Sequence, residues 1–123
     1  MLKEKIKNII EPFQNSGSID FKFDYSIERK LSVEKEIGLV RMVQECINNI
    51  LKHAEASQVS ISIAEQNGNC QVTIRDNGIG FDVKKKAGGI GMKSLQNRAR
   101  ELSGSIDIDS NSGKGTSILI SIP

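Results

Sequence analysis

Four groups of residues in this sequence could do chemistry. Glu45, Asn49, Lys52 and His53 fall at i, i+4, i+7 and i+8, a spacing that gathers side chains on one helix face. An acid, an amide, an amine and an imidazole on one stripe could grip a hydrated cation and phosphates. The same four could instead form a solvated face, the usual fate of charged helix residues. The second group is Arg75-Asp76-Asn77-Gly78-Ile79-Gly80-Phe81-Asp82, a carboxylate at the tip of an alternating run, then two glycines one residue apart. Such glycines permit backbone angles and close approaches that a side chain blocks. Asn-Gly is also a common turn dipeptide. A hairpin, however, needs a strand straight after its turn, and here Val83 is followed by Lys84-Lys85-Lys86 and more glycine. Asp76 to Gly91 therefore reads as one long loop, and long ordered loops are usually functional.

The third group is Gly88-Gly89-Ile90-Gly91, placed ahead of a helical pattern. Five of the eleven glycines lie between positions 78 and 91. Glycines opening a helix suit an anion, because free backbone amides point outward there. The sequence has no G-x-x-x-x-G-K-[ST], and Gly89-Ile90-Gly91 lacks the third glycine of a dinucleotide fingerprint, so a nucleotide site would have to be of another design. The fourth group, Gly113-Lys114-Gly115-Thr116, reads by itself as a hairpin turn. With one histidine and no G-x-S-x-G, a hydrolase triad is poorly supported. His53, Cys46 and Cys70 are too few for a four-ligand zinc site.

The elements that must carry these groups follow from periodicity. Leu2, Ile6, Ile9 and Ile10 predict a helix to about Glu11, which Pro12 should kink or end, and Asn15-Ser16-Gly17-Ser18 predicts a turn. Ile19, Phe21, Phe23 and Tyr25 alternate with polar residues, as in a half-buried strand. Ser32 is an N-cap for a long helix from Val33 to about His53, with Val33, Ile37, Val40, Val43 or Gln44, Ile47 and Leu51 as its apolar stripe. Two alternating runs, Val59–Ile63 and Cys70–Ile74, form a hairpin across Gln66-Asn67-Gly68-Asn69. A helix from about Met92 to Leu102 and two strands, near 105–109 and 116–122, complete the chain. Helices interleaved with hairpins predict an α+β, two-layer sandwich rather than a doubly wound parallel sheet.

The 123 residues fit one domain over 1–123, able to bury roughly two-thirds of its unfolded surface. A net charge of +2 gives no electrostatic footprint for nucleic acid or membrane. The longest apolar run is Ile118-Leu119-Ile120, the N-terminus lacks a secretory apolar region, and two cysteines suggest a reducing compartment. A cytoplasmic location is expected.

In this order the four groups resemble the signature of the GHKL ATPases: gyrase, a heat-shock chaperone, histidine kinases and a mismatch-repair ATPase. Gln44-Glu45-Cys46-Ile47-Asn48-Asn49-Ile50-Leu51-Lys52-His53-Ala54 resembles the N box of sensor histidine kinases. Asp76 to Phe81 is similar to their first glycine box, Gly89-Ile90-Gly91-Met92 to the second, and Gly113 to Thr116 to the closing glycine–threonine turn. The variant resembled is that of the kinases paired with NarL/LuxR-type response regulators, and the match runs from about Phe21 to Pro123.

The resemblance implies a mixed, mostly antiparallel sheet covered on one face by helices, with ATP and Mg²⁺ as cofactors. It implies that Asn49 coordinates Mg²⁺ and that Lys52 and His53 lie near the phosphates. Asp76 would accept the adenine amine, over a pocket floor shaped by Gly78 and Gly80. Gly89, Ile90, Gly91 and Met92 would line the lid and the phosphate-facing helix start. Thr116 would support Asp76 or adenine, directly or through water. Glu45 matches the acid that activates water in the hydrolysing branch, and in kinases would polarise the incoming histidine. Lys84, Lys85 and Lys86 are expected to be solvated. Asn48 stands where a small residue is common, and Leu102-Ser103-Gly104-Ser105 replaces a Gly-Gly pair. The implied activity is ATP-dependent phosphorylation of a histidine on a separate helical domain of the same kinase, with a response regulator downstream. That helical dimerisation and phosphoacceptor domain has no counterpart in the chain, so a monomer unable to phosphorylate itself is expected. Alternatives are an anti-sigma-factor-type serine kinase and a non-catalytic ATP-sensing module.

Overall fold

A computed structural model describes residues 2–17, 19–28, 30–53, 55–79, 92–110 and 115–123, with the backbone alone at 53 and 92. Its elements are α1 (Leu2–Ser16), β1 (Asp20–Tyr25), α2 (Val33–His53), β2 (Gln58–Gln66), β3 (Asn69–Asp76), α3 (Met92–Glu101), β4 (Ser105–Ser110) and β5 (Thr116–Ile122). The five strands form one sheet in the order β1-β2-β3-β5-β4. β1 runs parallel to β2, and every other pairing is antiparallel. This is the mixed, mostly antiparallel sheet expected.

Alternation decides the layers. Val59, Ile61 and Ile63 of β2, Cys70, Val72 and Ile74 of β3, and Ile118, Ile120 and Ile122 of β5 are all buried. The residues between them form polar rows on the opposite face, such as Lys22, Ser60, Arg75, Ser117 and Asp109 side by side. A period of two thus gives the sheet one face for the helices and one for water. The β2–β3 turn has Asn67 at φ 55° and Gly68 at φ 81°, the type I′ geometry whose twist matches a hairpin.

α2 begins as the sequence predicts. The Ser32 hydroxyl accepts the Lys35 amide at 3.3 Å and the Ser32 carbonyl accepts the Glu36 amide at 2.9 Å. Its buried stripe differs from the expected one. Leu39, Met42, Val43, Cys46, Ile47 and Ile50 face the core, whereas Val33 is 71% and Ile37 42% exposed. The helix carries apolar residues in two overlapping registers. Packing on the sheet selects the one through Leu39, Cys46 and Ile50, which periodicity alone does not favour.

α1 also departs from expectation, since it runs through Pro12 to Ser16. Proline removes only one helical donor, and the last turn is held by other means. The Phe13 ring packs on Phe21 with centroids 6.5 Å apart. The Ser16 hydroxyl donates to the Phe13 carbonyl at 2.7 Å, and the turn closes on Gly17 at φ 77°. Asn15 and Ser16 therefore belong to the helix and not to the turn. Lys5 and Glu36, 3.2 Å apart, link α1 to α2. Among the described residues no helix is long and apolar enough to cross a membrane.

Candidate active site

Asp76 is the last residue of the central strand β3, paired with Val59 on one side and Thr116 on the other. That position fixes its backbone, and the alternation of β3 puts its side chain on the buried face, in line with Val72 and Ile74. It is only 9% exposed. Its Oδ1 accepts the Gly78 amide at 2.8 Å, the short-range bond of an Asx turn. Its Oδ2 is buried and has no partner among the described residues. Burial pushes the carboxyl above its usual range, while the Gly78 and Thr116 backbone amides pull it partly back. A buried acceptor whose lone pairs receive no hydrogen bond is costly unless a ligand donor completes it.

Two features hold the Asp76 peptide in place. Gly115 sits at φ 81°, and a Cβ there would run into the Asp76 carbonyl oxygen, so only glycine fits. Asn77 does more than turn the chain. Its Oδ1 accepts the amides of both Ser57 and Gln58 at 2.9 Å, its Nδ2 donates to the Ser57 hydroxyl at 2.9 Å, and its own amide donates to the Gln58 carbonyl at 3.2 Å. Sequence reasoning missed this clamp because its partners lie about twenty positions away. Thr116 is buried, with its hydroxyl 2.9 Å from that of Ser110, whose own hydroxyl also reaches the Gly115 carbonyl. Thr116 therefore meets Asp76 through its backbone amide. Ser110 is a second residue the sequence did not single out.

On α2, Glu45 and Asn49 are half-buried and Lys52 is exposed. Glu45 is engaged by α3: its Oε2 lies 3.5 Å from Arg98 Nε and accepts the Ser94 hydroxyl at 3.5 Å. Neither partner was picked out in the sequence. Asn48 is exposed and accepts a bond from the Gln44 side chain at 3.3 Å. Gly78 is buried beside Asp76, while Ile79 is 48% exposed. Gly80, Lys84, Lys85, Lys86, Gly89, Ile90, Gly91, Gly113 and Lys114 lie outside the described residues, as do the side chains of His53 and Met92. Cys46, beneath this face of α2, is a core residue; burial pushes its thiol up to about 12, which leaves it unreactive at neutral pH.

Residues 34–123 match the family of histidine kinase-, DNA gyrase B- and HSP90-like ATPases, and the chain belongs to that family. It is 37% identical over 127 aligned positions to the sensor histidine kinase YdfH of Bacillus subtilis, covering 100% of this chain and 31% of the relative. It is 40% identical to the histidine-protein kinase/phosphatase DegS of Brevibacillus brevis, over 96% of this chain and 31% of that one. The nitrate/nitrite sensor protein NarQ of Escherichia coli is 31% identical, over 98% and 22%. The chain thus spans about a third or less of these relatives. Among solved structures, the blue-light activated histidine kinase of Erythrobacter litoralis EL346 superposes with a TM-score of 0.81 at 22% identity, over 96% of this chain and 40% of that one. The catalytic domain of histidine kinase ThkA gives 0.79 at 18%, over 99% and 91%. At those identities the likeness is one of fold.

Proposed function

We propose that this chain is the ATP-binding catalytic domain of a sensor histidine kinase, working in the cytoplasm and supplying the γ-phosphoryl group to a histidine on a separate helical domain. The observation that carries this reading is the buried, unfilled Oδ2 of Asp76, in a chain aligned over nearly its whole length with sensor histidine kinases. An acceptor there suits the exocyclic amine of adenine. Guanine would present a carbonyl instead, leaving two acceptors facing each other in a buried site.

Phosphoryl transfer asks a protein mainly for positioning and charge neutralisation. Asp76 anchors the base and Gly78 leaves room for it. Asn49 and Lys52, on the helix that ends at His53, meet the phosphates. Among the described residues no cluster of three or more His, Cys, Asp and Glu could hold a metal. Mg²⁺ would arrive with the phosphates and be touched by the Asn49 amide, where it would neutralise phosphate charge. Glu45, held from α3, is the acid that would polarise the attacking histidine.

Calorimetry with ATP, ADP, GTP and GDP in the presence of Mg²⁺ tests the site. Adenine nucleotides should bind about tenfold to a hundredfold more tightly than guanine nucleotides, the range set by one unmade buried hydrogen bond. Asp76→Ala should erase that difference. Equal affinities in the unaltered chain would remove Asp76 from the base pocket.

A further inference from the structure

We infer that Asn77 is a positioning residue that sets the base selectivity of Asp76 by fastening the loop of residues 76–79 to the start of β2. The inference rests on the proposed role of Asp76 as the acceptor for adenine.

Asp76 leaves the sheet at its last paired position, and the chain must then hold Gly78 where its amide meets Oδ1 at 2.8 Å. Nothing in β3 itself controls the residue between them. Asn77 supplies that control. Its side-chain oxygen accepts two consecutive amides, of Ser57 and Gln58, both at 2.9 Å, and its nitrogen donates to the Ser57 hydroxyl at 2.9 Å. Its backbone amide adds a fourth bond to the Gln58 carbonyl at 3.2 Å. Ser57 immediately precedes β2 and Gln58 begins it, next to Val59, which pairs with Asp76. The clamp therefore closes a small ring through β2, β3 and the loop. Asp76 and Gly78 flank Asn77, so a shift of this peptide moves Gly78 away from Oδ1 and turns the plane of the carboxylate.

The type of residue matters for a chemical reason. Two amides converging on one oxygen need an acceptor of amide or carboxylate reach. Alanine offers none and leaves both exposed N–H groups to water, so the loop loses its fastening. Aspartate keeps the doubly accepting oxygen and meets the Ser57 hydroxyl with an oxygen in place of a nitrogen; that hydroxyl can then donate. The carboxylate orientation governs whether Oδ2 meets an amine at hydrogen-bond distance, so the loss falls on discrimination between bases and not only on stability.

The test uses the whole chain and measures ATP and GTP affinity by calorimetry at pH 8, with thermal melting alongside, for Asn77→Ala, Asn77→Asp and Asp76→Ala. Asn77→Ala should weaken ATP binding about tenfold or more and bring the ATP-to-GTP ratio close to that of Asp76→Ala. Asn77→Asp should keep the ratio within about threefold of the unaltered chain. If Asn77→Ala fails to fold, Asn77→Gln decides, because it keeps the amide but sets it one methylene out of place: a collapsed ratio supports the proposal and an unaltered ratio overturns it. A lower melting temperature with an unaltered ratio in Asn77→Ala overturns it too, leaving Asn77 a merely structural residue. If Asp76→Ala itself leaves the ratio unaltered, the reading of Asp76 fails and the proposal with it. If only Asp76→Ala changes the ratio, the reading of Asp76 stands and the proposal alone falls.

Discussion

At Asp76 two demands on one carboxylate conflict. Recognition of an amine needs a charged or at least unprotonated Oδ2, yet burial disfavours that charge and raises the group's pKa. The sign for folding follows from linkage. The native state holds its proton to higher pH than the unfolded chain does. Asp76 therefore favours folding most in acid, and that contribution is lost as pH rises through the raised native value. Above that value the nucleotide-free domain carries the cost of an ionised, half-satisfied acid. Asp76→Asn keeps an oxygen for the Gly78 amide and removes the charge. It should melt a few degrees higher than the unaltered chain at neutral pH. The advantage should disappear once the pH falls below the ordinary carboxylate range. Thermal melts without nucleotide across that range check this, and a difference that did not change with pH would place its origin elsewhere than in the charge.

The elements around the site were legible to different degrees, and the reasons are physical. α2 could be read from its Ser32 cap and long periodicity, and the β2–β3 hairpin from alternation around Asn67-Gly68, because those signals are local. The buried side of α2 could not be chosen from sequence, since Val33 and Ile37 compete with Leu39 and Met42 until a sheet is beneath them. Pro12 looked like a stop because its compensating contact, Phe13 on Phe21, crosses to another element. In the site, the carboxylate at a strand tip was legible, but the Asn77 and Ser110 bonds that hold it were not, being formed between distant or unremarked residues. Gly113 to Thr116 read as a turn, and the described part of it is also a spacer. The β5 end passes so close to β3 that Gly115 abuts the Asp76 carbonyl. Gly115→Ala meets both a left-handed φ and that oxygen. It should destabilise the domain by about 1–3 kcal/mol and weaken nucleotide binding further than that loss explains, because the displaced peptide is that of Asp76. Urea unfolding and calorimetry on the same variant separate the two effects. Unchanged affinity for ATP at lowered stability would confine Gly115 to a structural role.

At the scale of the whole molecule, the proposed division of labour is one of geometry. The chain has its proposed nucleotide pocket at one end of its sheet and a single histidine, His53, at the C-terminus of α2. Attack on a γ-phosphorus requires a ring nitrogen in line with the leaving oxygen and close to the phosphorus. His53 is one turn beyond Asn49 on the same rigid helix. With Asn49 touching the metal as proposed, that position in the sequence puts His53 on the side expected to hold the phosphates, not behind the bond that breaks. The chain alone should therefore carry no phosphohistidine after incubation with γ-labelled ATP. Added helical phosphoacceptor domain from a kinase of this class should become labelled, the label should be lost in acid, and Asn49→Ala should reduce it about tenfold or more through weaker Mg²⁺-dependent ATP binding. Acid-labile label on the lone chain that vanishes in His53→Gln would make His53 the acceptor and overturn this assignment of roles. Transfer to the helical domain that persists undiminished in Asn49→Ala would take the metal-touching role away from that residue.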